Sequence, residues 1–339
     1  MPKRICFRHI TVGSVERSRK RLSNEAAKEV FIMADILQFL KEEGISAELI
    51  SGAQKFAEKY KGPGEYANRI PEPEYCYYGK EVWEQAIASV LAGKNILLAG
   101  PKATGKNVLA DNLAALFGRP EWNVSFHINM DASYLIGTDT YDGSKVTFRP
   151  GPVYLAAANG GFGVLDEINM AKNEALAVLH SALDFRHMID VPGYDKIEVN
   201  PACRFIATMN YGYAGTRELN EALNSRFVVI SLEPIAEADL VRLISRRYTK
   251  IKDNFAAQFA KLFKEIDDKA QNGEISERAL DLRGLLDAIG LIETGLKAGA
   301  ALKLCIVNKT FDKYERKLIQ DVIDARIPAE LDRTAVFGN

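Results

Sequence analysis

Asn95-Ile96-Leu97-Leu98-Ala99-Gly100-Pro101-Lys102-Ala103-Thr104-Gly105-Lys106-Asn107 occupies residues 95–107. A short apolar run that stops at glycine has the pattern of a buried strand, and Val108, Leu109, Leu113 and Leu116 continue it at helical spacing. Strand, glycine-bearing loop and helix in that order form the setting in which GxxxxGK has a mechanism. Glycines let backbone N–H groups close on a phosphate, and the helix N-terminus adds partial positive charge. Gly100, Pro101, Lys102, Ala103, Thr104, Gly105, Lys106, Asn107 and Val108 are therefore the candidate nucleotide-binding residues, with Lys106 reaching the terminal phosphates. Asn107 stands where the pattern usually has a Ser or Thr hydroxyl on Mg²⁺. Its side-chain carbonyl is also a neutral oxygen ligand but one atom longer, so either that carbonyl or a water would complete the metal's octahedron.

Further apolar runs at 124–128, 162–165, 204–209 and 227–232 alternate with helical stretches. Strands separated by helices imply an α/β fold whose mostly parallel sheet is covered by helices on both faces. Such sheets keep their ligands at the strands' carboxyl ends. At one of those ends Gly163-Val164-Leu165-Asp166-Glu167 closes on two acids. Asp166 suits Mg²⁺ held through water, and Glu167 suits polarising an attacking water. The run 204–209 leads into Asn210, whose amide could orient the same water between Glu167 and the γ-phosphate. Before the last run comes Gly215-Thr216-Arg217-Glu218-Leu219-Asn220-Glu221-Ala222-Leu223-Asn224-Ser225-Arg226-Phe227. Arg226, with Arg217 second, could supply transition-state charge to a neighbouring subunit's nucleotide, an effect of about 10³–10⁵ in rate for arginine fingers. The alternative for either is a surface ion pair.

The 339 residues, 47% hydrophobic and 26% charged, have the composition of a soluble globular chain of two to three domains. Lys+Arg 44 against Asp+Glu 45 leaves a net charge of -1, so no global field would hold a polyanion or an acidic membrane. There is no apolar run of about 18 residues and no signal-like N-terminus, and a cytoplasmic protein is expected. Cys6, Cys76, Cys203 and Cys305 are scattered without a CxxC pair, which argues against a disulfide framework or a zinc site.

Four segments are expected. Residues 1–61 hold a basic arm and a helical pair, over 24–43 and 47–60; residues 62–75, rich in Gly and Pro, form a linker. Residues 76–234 form the α/β nucleotide core, and 235–339 are helical. In that last segment Leu240 and Ile244 mark one helix, and Phe255, Phe259, Leu262 and Ile266 a second. Leu282, Leu285, Leu286 and Ile289 mark a third behind a cap at Ser276, and Phe311, Tyr314, Leu318 and Val322 a fourth.

The run 78–288 resembles an AAA+ ATPase of the MoxR and dynein-related group. The phosphate loop at 100–107, the Leu165-Asp166-Glu167-Ile168-Asn169 acids, the Thr208-Met209-Asn210 strand end and the Leu223-Asn224-Ser225-Arg226-Phe227 finger fall in that family's order. The resemblance implies a P-loop NTPase core with a C-terminal helical lid, ATP and Mg²⁺ as ligands, and assembly into a ring, expected as a hexamer with nucleotide between subunits. It further implies chaperone-like work on a protein client, with a von Willebrand factor A-domain protein as a partner. By the same resemblance Arg278, in Ser276-Glu277-Arg278-Ala279, sits where the lid arginine meets the γ-phosphate, although Glu277 replaces the family's frequent Pro. Hairpins around Asp142-Gly143 and around Pro192-Gly193 resemble family loops that face the pore or partner, and Tyr77 and Tyr78 are candidates for the adenine pocket. Two other functions fit the same motifs. One is a nucleic-acid-dependent motor like those of restriction systems; the other is a nucleotide-gated structural ring with little hydrolysis, for which Asn107 is the motive.

Overall fold

The computed structural model describes residues 33–61, 64–141, 143–191, 193–211, 219–276 and 281–338. They fall into two compact units, the first within Met1–Ala99, Asn107–Met209 and Tyr213–Ser231, the second within Gly100–Lys106, Asn210–Gly212 and Leu232–Asn339.

In the first unit, helices α1 (33–42) and α2 (Ala47–Lys59) precede α3 (Lys80–Leu91). Trp83, Ala86, Ile87 and Val90 bury one face of α3 at i, i+3, i+4, i+7 spacing. There follow β1 (Asn95–Gly100), α4 (Lys106–Leu116), β2 (Glu121–Ser125), α5 (Ala132–Ile136), the hairpin β3 (Gly137–Tyr141) and β4 (Val146–Pro150), and α6 (Pro152–Asn159). Next come β5 (Phe162–Asp166), α7 (Asn173–Leu176), α8 (His180–Leu183), the hairpin β6 (Met188–Ile189) and β7 (Ile197–Glu198), β8 (Arg204–Asn210), α9 (Glu221–Asn224) and β9 (Phe227–Ser231).

The main sheet runs β2-β5-β8-β1-β9, with parallel registers for β2/β5, β5/β8 and β1/β9. Every residue of β1 is buried, as continuous apolarity demands of a strand covered on both faces. This is the expected α/β core with a parallel sheet and helices, followed by a helical C-terminal region.

The second strand differs from the expected 124–128. Trp122 and Val124 supply its buried face, whereas Ile128 is 46% exposed. The chain leaves the sheet after Phe126 donates its N–H to the Asp166 carbonyl, at 2.9 Å.

Two buried arginines close helix ends in this unit. Arg119 donates from Nε to the Gly160 carbonyl (2.7 Å), from Nη2 to Asn159 (3.4 Å) and from Nη1 to the Tyr60 carbonyl. Arg204 donates to the carbonyls of Val90 (2.9 Å), Pro201 (2.8 Å) and Cys203 (2.6 Å), and its guanidinium lies 5.5 Å from the Phe56 ring centroid. Carbonyls at the last turns of α2, α3 and α6 lack helical partners, and cations belong there.

The second unit contains α10 (Glu237–Arg247), α11 (Asp253–Gln271), α12 (Leu282–Glu293), α13 (Ala298–Cys305), α14 (Lys313–Arg326) and α15 (Arg333–Val336). The cap of α12 is Asp281, which accepts from the Arg283 N–H, and not Ser276, whose N–H and hydroxyl go to Glu315. Only Asp281 adjoins the first turn, where a cap must lie. In α14 the buried face is Ile319 and Ile323, while Phe311 (83%) and Tyr314 (69%) are exposed. Both faces repeat at four residues, so periodicity alone could not choose between them. Among the described residues no helix is long and apolar enough to cross a membrane.

Glu121, at the start of β2, is buried beside Asp111. One carboxylate oxygen accepts from Asn123, and the other has no hydrogen-bond partner among the described residues. Burial, then the Asp111 charge, push its pKa up to about 8 from the ordinary 4.5. The folded state thus holds this proton more tightly than the unfolded state. The stability it contributes is fully present below pH 4.5 and is lost as pH rises through about 8. Glu121→Gln should therefore raise the urea midpoint above pH 8 and change it little near pH 4, which denaturation series at the two pH values will show.

Candidate active site

The loop after β1 carries two left-handed residues, Ala103 (φ 63°) and Gly105 (φ 82°). Such turns gather successive backbone N–H groups into a concavity for anions. Gly100 must be glycine for a different reason, because a Cβ there would lie 2.5 Å from the Leu232 carbonyl oxygen. Thr104 Oγ1 donates to the Pro101 carbonyl at 3.0 Å. Lys106 folds over the loop, its Nζ donating to the carbonyls of Gly100 (3.0 Å) and Pro101 (2.6 Å) and to Thr104 Oγ1 (3.2 Å). Asn107 and Val108 lie half-buried in the first turn of α4, and Lys102 is exposed.

At the end of β5, Asp166 and Glu167 are both half-buried. The side chain that joins them is Thr208, fully buried in β8. Its hydroxyl donates to Asp166 Oδ1 at 2.6 Å and accepts the Glu167 backbone N–H at 3.0 Å. Glu167 itself is left-handed (φ 55°, ψ 44°), a conformation that costs a non-glycine residue about 1–3 kcal/mol. That kink turns Glu167 out of the strand's direction, and Thr208 is the acceptor that holds the kinked N–H. Asn210 ends the same strand.

Arg226 follows α9 and precedes β9 directly. It donates from Nη1 to the Ala222 carbonyl and from Nη2 to Asp184 at 3.4 Å. Asp184 also receives Arg186, and the hydrogen bond from Arg186 holds its carboxyl well below the usual range. Arg217 and Arg278 lie outside the described residues, as do the basic arm, Asp142 and Pro192. Tyr77 and Tyr78 are buried. Tyr78 packs edge-on against Phe39, with centroids 5.1 Å apart, and Asn112 of α4 fixes the segment before it by bonding Tyr75 O (2.8 Å) and Tyr77 N (3.1 Å). The two hairpins meet where Tyr194 donates to Asp139 at 2.6 Å and stacks against Phe148 with centroids 5.0 Å apart.

Thr208, Asn112 and Asp184 were not foreseen. For Thr208 a signal existed: a lone hydroxyl inside a buried apolar strand requires a partner. Thr208→Val preserves shape but leaves the Glu167 N–H without its acceptor. It should lower unfolding free energy by about 1–3 kcal/mol, while Thr208→Ser stays close to the parent; chemical denaturation distinguishes the two.

Residues 95–227 match the AAA domain of the dynein-related subfamily. The chain is 33% identical over 258 residues to an uncharacterized protein of Staphylococcus haemolyticus, covering 74% of this chain and 97% of that one. It is 34% identical over 266 residues to the uncharacterized protein YojN of Bacillus subtilis, covering 77% and 87%. A crystal structure of a proposed ATPase from Cytophaga hutchinsonii aligns with 17% identity and a TM-score of 0.45, over 82% of this chain and 88% of that one.

Proposed function

The chain belongs to the dynein-related subfamily of AAA ATPases, and on that premise we propose that it hydrolyses ATP with Mg²⁺ and uses the turnover to remodel or activate a protein client, as a MoxR-like ring does. The observation that carries this is the Thr208 bridge. It holds the Asp166 carboxylate and the backbone N–H of Glu167 at one strand end, an arrangement that phosphate binding alone does not need.

Each residue then has one task. Backbone N–H groups of 100–106 and the Lys106 ammonium receive the phosphates. Asp166 has one oxygen on Thr208, and its other oxygen, with Asn107, would hold Mg²⁺ through waters; this oxygen-only set fits that hard cation. Mg²⁺, when bound, would neutralise charge on the phosphate oxygens. Glu167 takes a proton from water as the water oxygen bonds Pγ and the Pγ–O bond to ADP breaks, releasing ADP and phosphate. Asn210 orients that water, Arg278 is assigned to the γ-phosphate by its resemblance to the family's lid arginine, and Arg226 acts on the nucleotide of a neighbouring subunit in the ring, a hexamer in this proposal. A von Willebrand factor A-domain protein is the proposed partner. The near-neutral charge favours a protein client over nucleic acid.

Asn107 favours a second reading, a nucleotide-gated ring that barely hydrolyses. Lys106→Ala should lower ATP affinity by about 10²-fold or more, and Glu167→Gln should bind ATP normally yet lose about 10²-fold or more in turnover. Fluorescent-nucleotide titration and phosphate release measure the two. Equal, slow phosphate release by the parent and Glu167→Gln would select the gated ring. Asn107→Thr should keep or raise Mg²⁺-dependent turnover; a large loss would assign Asn107 a role that a hydroxyl cannot fill.

A further inference from the structure

Asp184 carries more cation than one carboxylate neutralises. It follows α8 directly and its side chain is 11% exposed. It accepts the Arg186 backbone N–H at 3.0 Å, Arg186 Nε at 3.1 Å and Nη2 at 2.7 Å, and Arg226 Nη2 at 3.4 Å. Two guanidiniums against one carboxylate leave a net charge of +1 at this turn. A surface ion pair requires one arginine, and two held on the same acid repel each other unless an anion completes the set.

The two arginines are presented differently. Arg226 is 23% exposed, anchored also on the Ala222 carbonyl, and its Nε is buried without a hydrogen-bond partner among the described residues. Arg186 is 47% exposed, so part of its planar donor fork remains open to solvent. Phe185, between Asp184 and Arg186, is 89% exposed. Directly after Arg186, His187 is left-handed (φ 43°), which fixes the turn at a conformational cost.

We propose that Asp184 is a positioning residue that holds Arg226 and Arg186 as a pair, and that Arg186 is a second arginine acting in trans on the ATP γ-phosphate of the adjoining subunit. The net positive charge of the cluster is opposite in sign to that of a phosphate, and the planar guanidinium forks match its oxygens in bidentate hydrogen-bonding geometry. The inference rests on the ATPase reading above and adds to it the residue that aims the finger and the residue that doubles it.

The test uses the full chain. Arg186→Ala and Asp184→Asn should each lower kcat by about tenfold or more, with the affinity for a fluorescent ATP analogue within about twofold and sedimentation mass unchanged. Asp184→Glu should restore part of the rate. Mixing Arg186→Ala, whose own acids are intact, with Glu167→Gln, whose Arg186 is intact, should give more activity than the sum of the two alone, because one of the two orders in which the variants adjoin joins a working acid to a working arginine. Parental kcat in Arg186→Ala, loss of activity without recovery on mixing, or a fall in sedimentation mass each overturns the proposal. An inactive parent removes the ATPase reading and this inference together, whereas normal turnover in Arg226→Ala leaves the ATPase reading standing and overturns this inference, because the finger then lies elsewhere. An inactive Arg226→Ala beside a fully active Arg186→Ala removes only the second arginine.

Discussion

The register between β5 and β8 holds the candidate chemistry in place. Phe162 pairs with Arg204, Gly163 with Phe205, Val164 with Ile206 and Leu165 with Ala207, so the next position sets Asp166 against Thr208. The lock is steric. Phe205 lies across Gly163, where a Cβ would sit 2.6 Å from its ring. A slip of one residue would reverse every side chain of the strand between faces and would offer Asp166 an alanine or a methionine in place of the hydroxyl. The glycine that admits Phe205 thus governs, three residues later, which side chain meets the acid.

Buried cations play the corresponding part for the helices. Arg119 and Arg204 reach carbonyls on separate segments, and burial lowers the pKa of both. A buried guanidinium is tolerated only when its donors are satisfied, and here carbonyls at helix ends and, for Arg204, in the turn before β8 satisfy them. Phe56 joins the same arrangement, under Arg204 and edge-on to Phe117 at 5.1 Å. Helix α2 is consequently held by polar groups at its end and an aromatic on its face, within the same unit as the sheet.

How far the sequence reveals such features depends on their range. The phosphate loop and the acids at the end of β5 are legible because each is contiguous and its setting, strand then loop then helix, is local. The main sheet's strands are legible too, apart from the three-residue offset of β2, where Phe126 and Ile128 imitate a continuing strand. Periodicity located α14 but not its buried face, since that depends on which neighbours pack against it. The hydroxyl of Thr208, the amide of Asn112 and the carboxylate of Asp184 were hidden for one physical reason. Their partners are 42, 35 and 42 residues away for Asp166, Tyr77 and Arg226 respectively, and only folding brings them together.

Backbone strain points to the same places independently of any motif. Among the described residues the left-handed non-glycine positions are Ala103, Glu167 and His187. The first shapes the phosphate loop, the second turns the acid out of β5, and the third closes the turn that carries Arg186. Each would relax on replacement by glycine, or on a small change of chain path, were nothing opposing it. In the first two the opposition is visible, as Lys106 and Thr104 bridging loop carbonyls and as the Thr208 hydroxyl on the Glu167 N–H. In the third it is Asp184, whose carboxylate grips Arg186 two residues along the chain while the Val199 N–H donates to the His187 carbonyl across the hairpin at 2.8 Å. A turn held at both ends in a costly conformation keeps its arginine in one place, which is the condition a guanidinium must meet to act on another subunit's phosphate without first losing conformational freedom.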